Sequence, residues 1–249
     1  TFSEPIDPIS LQLNTSIFFQ NTSALISQIQ WINENTIQLT VDTLEFNTPY
    51  RLHIKAITDF NSNTITDTSL VYYFQHVFPY DLEVTELMID PSPPVYLPEV
   101  EYIELRNSAT YPINLSICLI QIGEKYSTLP QHILQPKALA VIYPSSAKLM
   151  VDSTAQTLFL PSSFSLPNTN GLIQLLDSGF QTIHSVQYSD TWYNNKNKQD
   201  GGWSIEQIDS SYPCLQGINW EASFNGNGGS PGEYIAQHAY FTHLNELQP

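Results

Sequence analysis

The sequence predicts an all-β chain of two tandem β-sandwich domains, and three observations carry that prediction. Apolar residues recur at a spacing of two along most of the chain, rather than at the three-and-four spacing of a helix. The short segments so defined are cut by clusters of Asn, Pro, Asp and Gly, the residues of turns. Polarity comes from Asn, Gln, Ser and Thr, since only 13% of the 249 residues are charged while 41% are apolar. That apolar share suffices for a core, and the uncharged polar makeup is usual in extracellular β-proteins.

The charge balance narrows the partners. Lys and Arg number 8 against 24 Asp and Glu, a formal net charge of −16, which repels phosphate backbones and anionic lipid. Nucleic acid and membrane surfaces are therefore not expected as partners. No apolar run approaches the length that spans a bilayer, so direct membrane insertion is not expected either. No signal peptide is visible, as in a mature or excised fragment. The opening TFSEPID reads as a strand running into a turn, so the chain is expected to begin inside an element of something longer.

Residues 1–79 are expected to form the first domain. In YRLHIKAI at 50–57, Tyr50, Leu52, Ile54 and Ala56 share one phase and Arg51, His53 and Lys55 the other, which defines a half-buried strand with a basic stripe. Ile29 and Trp31, then Ile37, Leu39 and Val41, flank an Asn-Glu-Asn turn at 33–35 and predict a hairpin. SLVYYF at 69–74 supplies a last strand. Short strands at close spacing argue for a small immunoglobulin-like (Ig-like) sandwich.

The second domain is expected over 80–235, with 236–249 a linker or the start of a following element. DLEVTELMIDP opens it, and a regular alternation puts Glu86 in phase with Leu82, Val84 and Met88, a carboxylate on the apolar side of a strand. After the Pro-rich loop PSPPVYLPE at 91–99, EYIELRN sets Tyr102, Glu104 and Arg106 on one phase and Ile103 and Leu105 on the other. Arg106 is expected to pair with Glu86 or Glu104. The organising stretch is DGGWSIE at 200–206 with NGNGGSPGEY at 225–234, read as loop, strand, loop, with Trp203 and Trp220 as core aromatics and Glu206 capping loop amides.

Two resemblances follow from these motifs. TFSEPID, FNTPYRLHI at 46–54 and ITDFNSN at 57–63 resemble bacterial Ig-like domains of surface proteins, with Ser62 where that family usually has Gly. TELMIDP at 85–91, EYIELRN, PINLS at 112–116, LPQHILQP at 129–136, GLIQLLDSGF at 171–180, VQYSDTW at 186–192, DGGWSIE, NW at 219–220 and GGSPG at 228–232 stand in the order of lamin-tail domains, over about residues 81–235. Here Ile117-Cys118 replaces the usual tryptophan after the LS of NLSGW, and GGSPG replaces GGTPG. The resemblance implies an Ig-like fold for the second domain, making two tandem Ig-like β-sandwich domains. It also implies a large secreted protein of the Bacteroidota, exported by the type IX system and placed outside the cell, on its surface or at the outer membrane.

No recognisable catalytic motif is present, and no catalytic residue or organic cofactor is expected. HExxH, G-x-S-x-G and Walker loops are absent; His238 and His243 lie near one another only at the end of the chain. Acidic residues crowd the start of the second domain, and Glu86, Asp90 and Glu104 are the candidate ligands for calcium, the one candidate ion. Glu86 and Glu104 would also be the pair for a glycosidase. Cys118 and Cys214 are candidates for a disulfide, with a buried thiol as the alternative. Apolar side chains in loops, Val95, Tyr96, Leu97, Trp192 and Tyr193, are the candidate contacts for a partner. The favoured reading is a non-enzymatic module that spaces, scaffolds or binds a protein partner in an outer-membrane or surface assembly. A glycan-binding module and a calcium-assisted hydrolase domain are the alternatives.

Overall fold

The computed structural model describes residues 1–13, 15–20, 24–42, 44–45, 48–73 and 76–233. The expected linker at 236–249, with His238 and His243, lies outside them. The described chain is all-β: seventeen strands in several sheets, with only short helical turns between them. It divides into two compact units, residues 1–76 and 77–249. The division falls slightly ahead of the expected boundary at 79, because Val77 is already packed into the core of the second unit.

In the first unit, β1 (Ile17–Gln20), β4 (Pro49–Ile54) and β5 (Thr68–Tyr73) form an antiparallel sheet in the order β1-β4-β5. β2 (Ile26–Asn33) and β3 (Thr36–Val41) make the hairpin expected around 33–35. Ile6, Ile17, Ile26 and Ile57 are the buried centre, with Ile29, Ile37, Leu39, Leu52 and Ile54 packed against them. The basic stripe is occupied by its own sheet neighbours. His53 stacks on Phe18 and its Nε2 lies 2.6 Å from Gln20 Oε1, while the Lys55 ammonium stands over the Phe18 ring.

The second unit is a β-sandwich. One sheet holds six strands: β6 (Leu82–Met88), β7 (Tyr102–Asn107), β12 (Leu139–Tyr143), β13 (Thr157–Phe159), β16 (Ile205–Gln207) and β17 (Trp220–Ala222), in the order β13-β12-β7-β6-β16-β17. The other holds β9 (Cys118–Ile122), β10 (Lys125–Thr128), β14 (Asn170–Asp177) and β15 (Thr182–Ser189), in the order β10-β9-β14-β15. A two-stranded pair, β8 (Ile113–Asn114) with β11 (Ile133–Leu134), completes the unit. Leu82, Val84, Leu87, Ile103, Leu105, Ile142 and Ile205 meet Cys118, Ile120, Ile173, Leu175, Val186 and Tyr188 in one buried core. Burial of that many large aliphatic side chains, each worth about 1.5–3 kcal/mol, is what holds the two layers together.

One irregularity decides which side chains face that core. β6 and β7 slip by a residue between Val84 and Glu86, leaving Thr85 as an extra residue on β6. Leu82 and Val84 therefore point inward before the bulge, and Leu87 and Ile89 after it. Glu86 and Met88 turn to the outer face, so the regular alternation expected for 82–88 does not hold. At the first half of β6 the edge opposite β7 is closed from the other sheet: the Val84 amide donates to Nδ1 of His184, 3.0 Å away. His184 is buried, and burial pushes its imidazole down to about 4, so the ring stays neutral and keeps that acceptor.

The outer edge of β15 is closed by a side chain as well. Gln216 lies along it, accepting from the Gln187 amide and donating to the Ser185 carbonyl, each at 3.3 Å. β10 is the opposite edge of that sheet.

Candidate functional site

The bulge at Thr85 assembles a row of carboxylates across four strands. Glu104 on β7 stands opposite Glu86 on β6, Glu86 opposite Glu206 on β16, and Glu206 opposite Glu221 on β17. Glu86, Glu104 and Glu206 are buried, although they lie on the outward face of the six-stranded sheet. They are covered by the GGSPG segment at 228–232, which acts as a clasp. The Ser230 amide donates to Glu86 Oε1 at 2.9 Å, the Ser230 hydroxyl to Glu206 Oε1 at 2.9 Å, and the Gly232 amide to Glu104 Oε2 at 2.8 Å. From the sheet, Ser204 and Tyr102 hydroxyls donate to Glu86 and the Thr85 hydroxyl to Glu104.

Two glycines let the loops interlock at this depth. Gly202 has φ +76, and a Cβ on it would lie 2.2 Å from the Pro93 carbonyl oxygen; Gly228 has φ +94, and a Cβ there would lie 2.2 Å from the Gly202 carbonyl oxygen. The three loops thus stack backbone on backbone, an approach that only glycine permits. At the far end of the row, Lys198 stands 4.2 Å over the Trp203 ring and donates to the Ser223 carbonyl.

Charge is poorly tolerated in the row. Burial, then the neighbouring Glu206 and Glu104, push Glu86 up to about 8. Burial likewise raises Glu104, to about 7, against the pull of the Thr85 and Gly232 donors. Glu86 and Glu104 thus hold protons near neutrality that isolated carboxyls would have released.

The structure places the expected residues as follows. Glu86 and Glu104 do come together, but Asp90 is not with them, and among the described residues no group of three or more His, Cys, Asp or Glu could hold a metal ion. Their oxygens are occupied by donors of this chain, and their raised pKa disfavours the charged form that calcium needs. Arg106 pairs with neither Glu86 nor Glu104. It pairs at 2.6 Å with Glu83, its direct cross-strand neighbour, whose carboxyl burial nonetheless pushes up. Cys118 and Cys214 are both free, Cys118 a buried thiol in the core and Cys214 exposed, so the candidate disulfide is not formed. Tyr193 is buried in the core with its hydroxyl donating to the Trp203 carbonyl, so it is not a surface contact, and Trp192 is half-buried against Trp220. Val95 is half-buried and Leu97 packs on Met88 and its neighbours, which leaves Tyr96, 80% exposed, as the candidate presented to solvent. Glu206 accepts from the Ser230 hydroxyl, within the GGSPG loop. Ser204 and Ser230 escaped notice, although both stand inside the two motifs that organise the sequence, because a serine carries no periodic signal.

No family model matches the chain, and no curated protein is similar to it. Among solved structures, a DUF4876 family protein from Bacteroides thetaiotaomicron is similar, at 9% identity over 90% of this chain and 94% of that one, with a TM-score of 0.39.

Proposed function

We propose that the chain is a non-enzymatic module of a secreted or cell-surface protein: two Ig-like sandwiches in tandem, the second of lamin-tail type, that space, scaffold or bind a protein partner in an outer-membrane or type IX secretion-related assembly. The observation that supports this reading is the clasped row of Glu86, Glu104 and Glu206. Glu86 and Glu104 are the pair that a glycosidase would use, and each of their oxygens accepts from a donor of this chain, supplied by Ser204, Ser230, Gly232, Thr85 and Tyr102. They fix loops to a sheet, and a sheet with fixed loops is a rigid carrier for surface contacts. Tyr96 is such a contact, held at the tip of a loop whose neighbours Val95 and Leu97 are anchored.

The test compares the tagged chain with Tyr96→Ser in capture from detergent-solubilised native envelope. One defined complex retained by the first and lost by the second supports the reading; equal recovery, or none, removes Tyr96 as the contact. Hydrolysis of any glycan or peptide that Glu86→Gln abolishes would overturn the non-enzymatic assignment. A second reading, glycan binding, is favoured by a different surface, described next.

A further inference from the structure

We propose that the outward face of the four-stranded sheet is a platform for a neutral oligosaccharide. The strand registers define that face. Cys118, Ile120, Ile173, Leu175, Val186 and Tyr188 point into the core, so the alternate residues point away. Tyr126 on β10, Gln121 on β9, Gln174 on β14 and Ser185 on β15 form one cross-strand row, and Thr128, Leu119, Leu176 and Thr182 the next.

Three properties select the ligand. First, neither row contains an acidic or basic residue, in a chain whose net charge is −16. A charged partner gains nothing there, and a neutral one meets no repulsion. Second, among the described residues no group engages the side-chain donors and acceptors of the half-buried Gln174 amide at the centre of the face, or those of Tyr126 and Thr128 at its rim. An amide offers two donors and an acceptor to adjacent hydroxyls, the pairing a sugar ring presents. Third, two aromatic rings are held out over the face. Tyr126 and Phe180 meet at 5.7 Å in a T-shaped pair while remaining 54% and 62% exposed. Phe180 sits in the turn between β14 and β15 at φ +63, a left-handed conformation costly for a bulky side chain and suited to the glycine one position earlier. Rings of this kind pack against the C–H faces of a sugar, and flanking amides fix its orientation.

The experiment is a titration of the 15N-labelled chain with maltohexaose, cellohexaose and xylohexaose, followed through backbone and side-chain amide shifts. Saturable shifts centred on Gln121, Gln174 and Gln187 with at least one of the three are expected. Tyr126→Ala and Phe180→Gly should each weaken that binding about tenfold, and Gln174→Leu should weaken it comparably, with no loss of melting temperature. Shifts elsewhere, or none on this face with any of the three sugars, overturn the proposal. So does concentration-dependent self-association in sedimentation that the same variants abolish, which would give the face to a second copy of this chain. The Tyr96 assay is independent of all three variants, so either reading can fail alone.

Discussion

The two sheets of the second unit share one core but finish their outward faces by opposite means. The six-stranded sheet carries a row of glutamates and closes it beneath a clasp, where hydroxyls and amides of the chain itself donate to Glu86, Glu104 and Glu206. The four-stranded sheet carries no charge in its two central rows and leaves the Gln174 amide and the Tyr126 and Phe180 rings open. Polar residues on a sheet face therefore say little about binding until their partners are counted. Buried and satisfied, they lock loops; half-buried and unsatisfied, they await something else.

The largest expected effect breaks the sealed face at its charged end. Arg106→Ala leaves Glu83 buried without its cation and should cost about 3–5 kcal/mol in urea unfolding followed by tryptophan fluorescence. A loss below about 1 kcal/mol, the range of exposed pairs, would mean that Glu83 reaches water and the face is not sealed there. Next comes Gly202→Ala, which strains a left-handed backbone and drives a methyl group into the Pro93 carbonyl. It should cost about 2 kcal/mol or more in the same assay, and an unchanged midpoint would show that the loops do not interlock.

The third effect is a dependence on pH. Glu86 and Glu104 have folded pKa values above those of the unfolded chain, so the folded state binds more protons and the stability they confer is complete below about 4.5. It is lost as pH rises through about 7 and then about 8. Melting temperature should fall between pH 7 and 9, above the range in which the buried His184 titrates, and Glu86→Gln should flatten the fall; a rise over that range would contradict protonated Glu86 and Glu104. Smallest is the open face. Phe180→Gly relieves about 1–2 kcal/mol of left-handed strain against about 0.5–1 kcal/mol of glycine entropy. A net gain of about 0.5 kcal/mol is expected by thermal melting, and a loss above about 1 kcal/mol would make the ring a structural plug rather than an exposed contact.

Much of the fold was legible in the sequence because alternation survives wherever strands are regular. Ile103 and Leu105 against Tyr102, Glu104 and Arg106 came out as read, and so did the hairpin at 33–35. Misreadings gather where a single residue breaks the period. Thr85 is an ordinary strand residue whose bulge is set by the pairing of β6 with β7, and without it Glu86 reads as a core carboxylate and Arg106 as its partner. Trp192 and Tyr193 read as loop residues because they stand beside an Asn-rich run, yet a short helical turn at 190–193 folds them back onto Trp220 and Trp203. The cysteines illustrate a different limit: Cys118 is fixed in a core strand, and nothing in its spacing from Cys214 reveals which way either thiol points. The carboxylate row itself needed the register of four strands distant in sequence, and no single segment contains it.

Gln216 carries a consequence for how copies of this molecule can meet. Its amide fills the hydrogen-bonding rail of β15 much as a neighbouring strand would, so a foreign strand finds no purchase on that side of the four-stranded sheet. Among the described residues, β10 is the edge of this sheet left for strand addition. Two copies joined there exhaust each other's remaining edge, and the geometry of this sheet favours closed pairs over open-ended fibres.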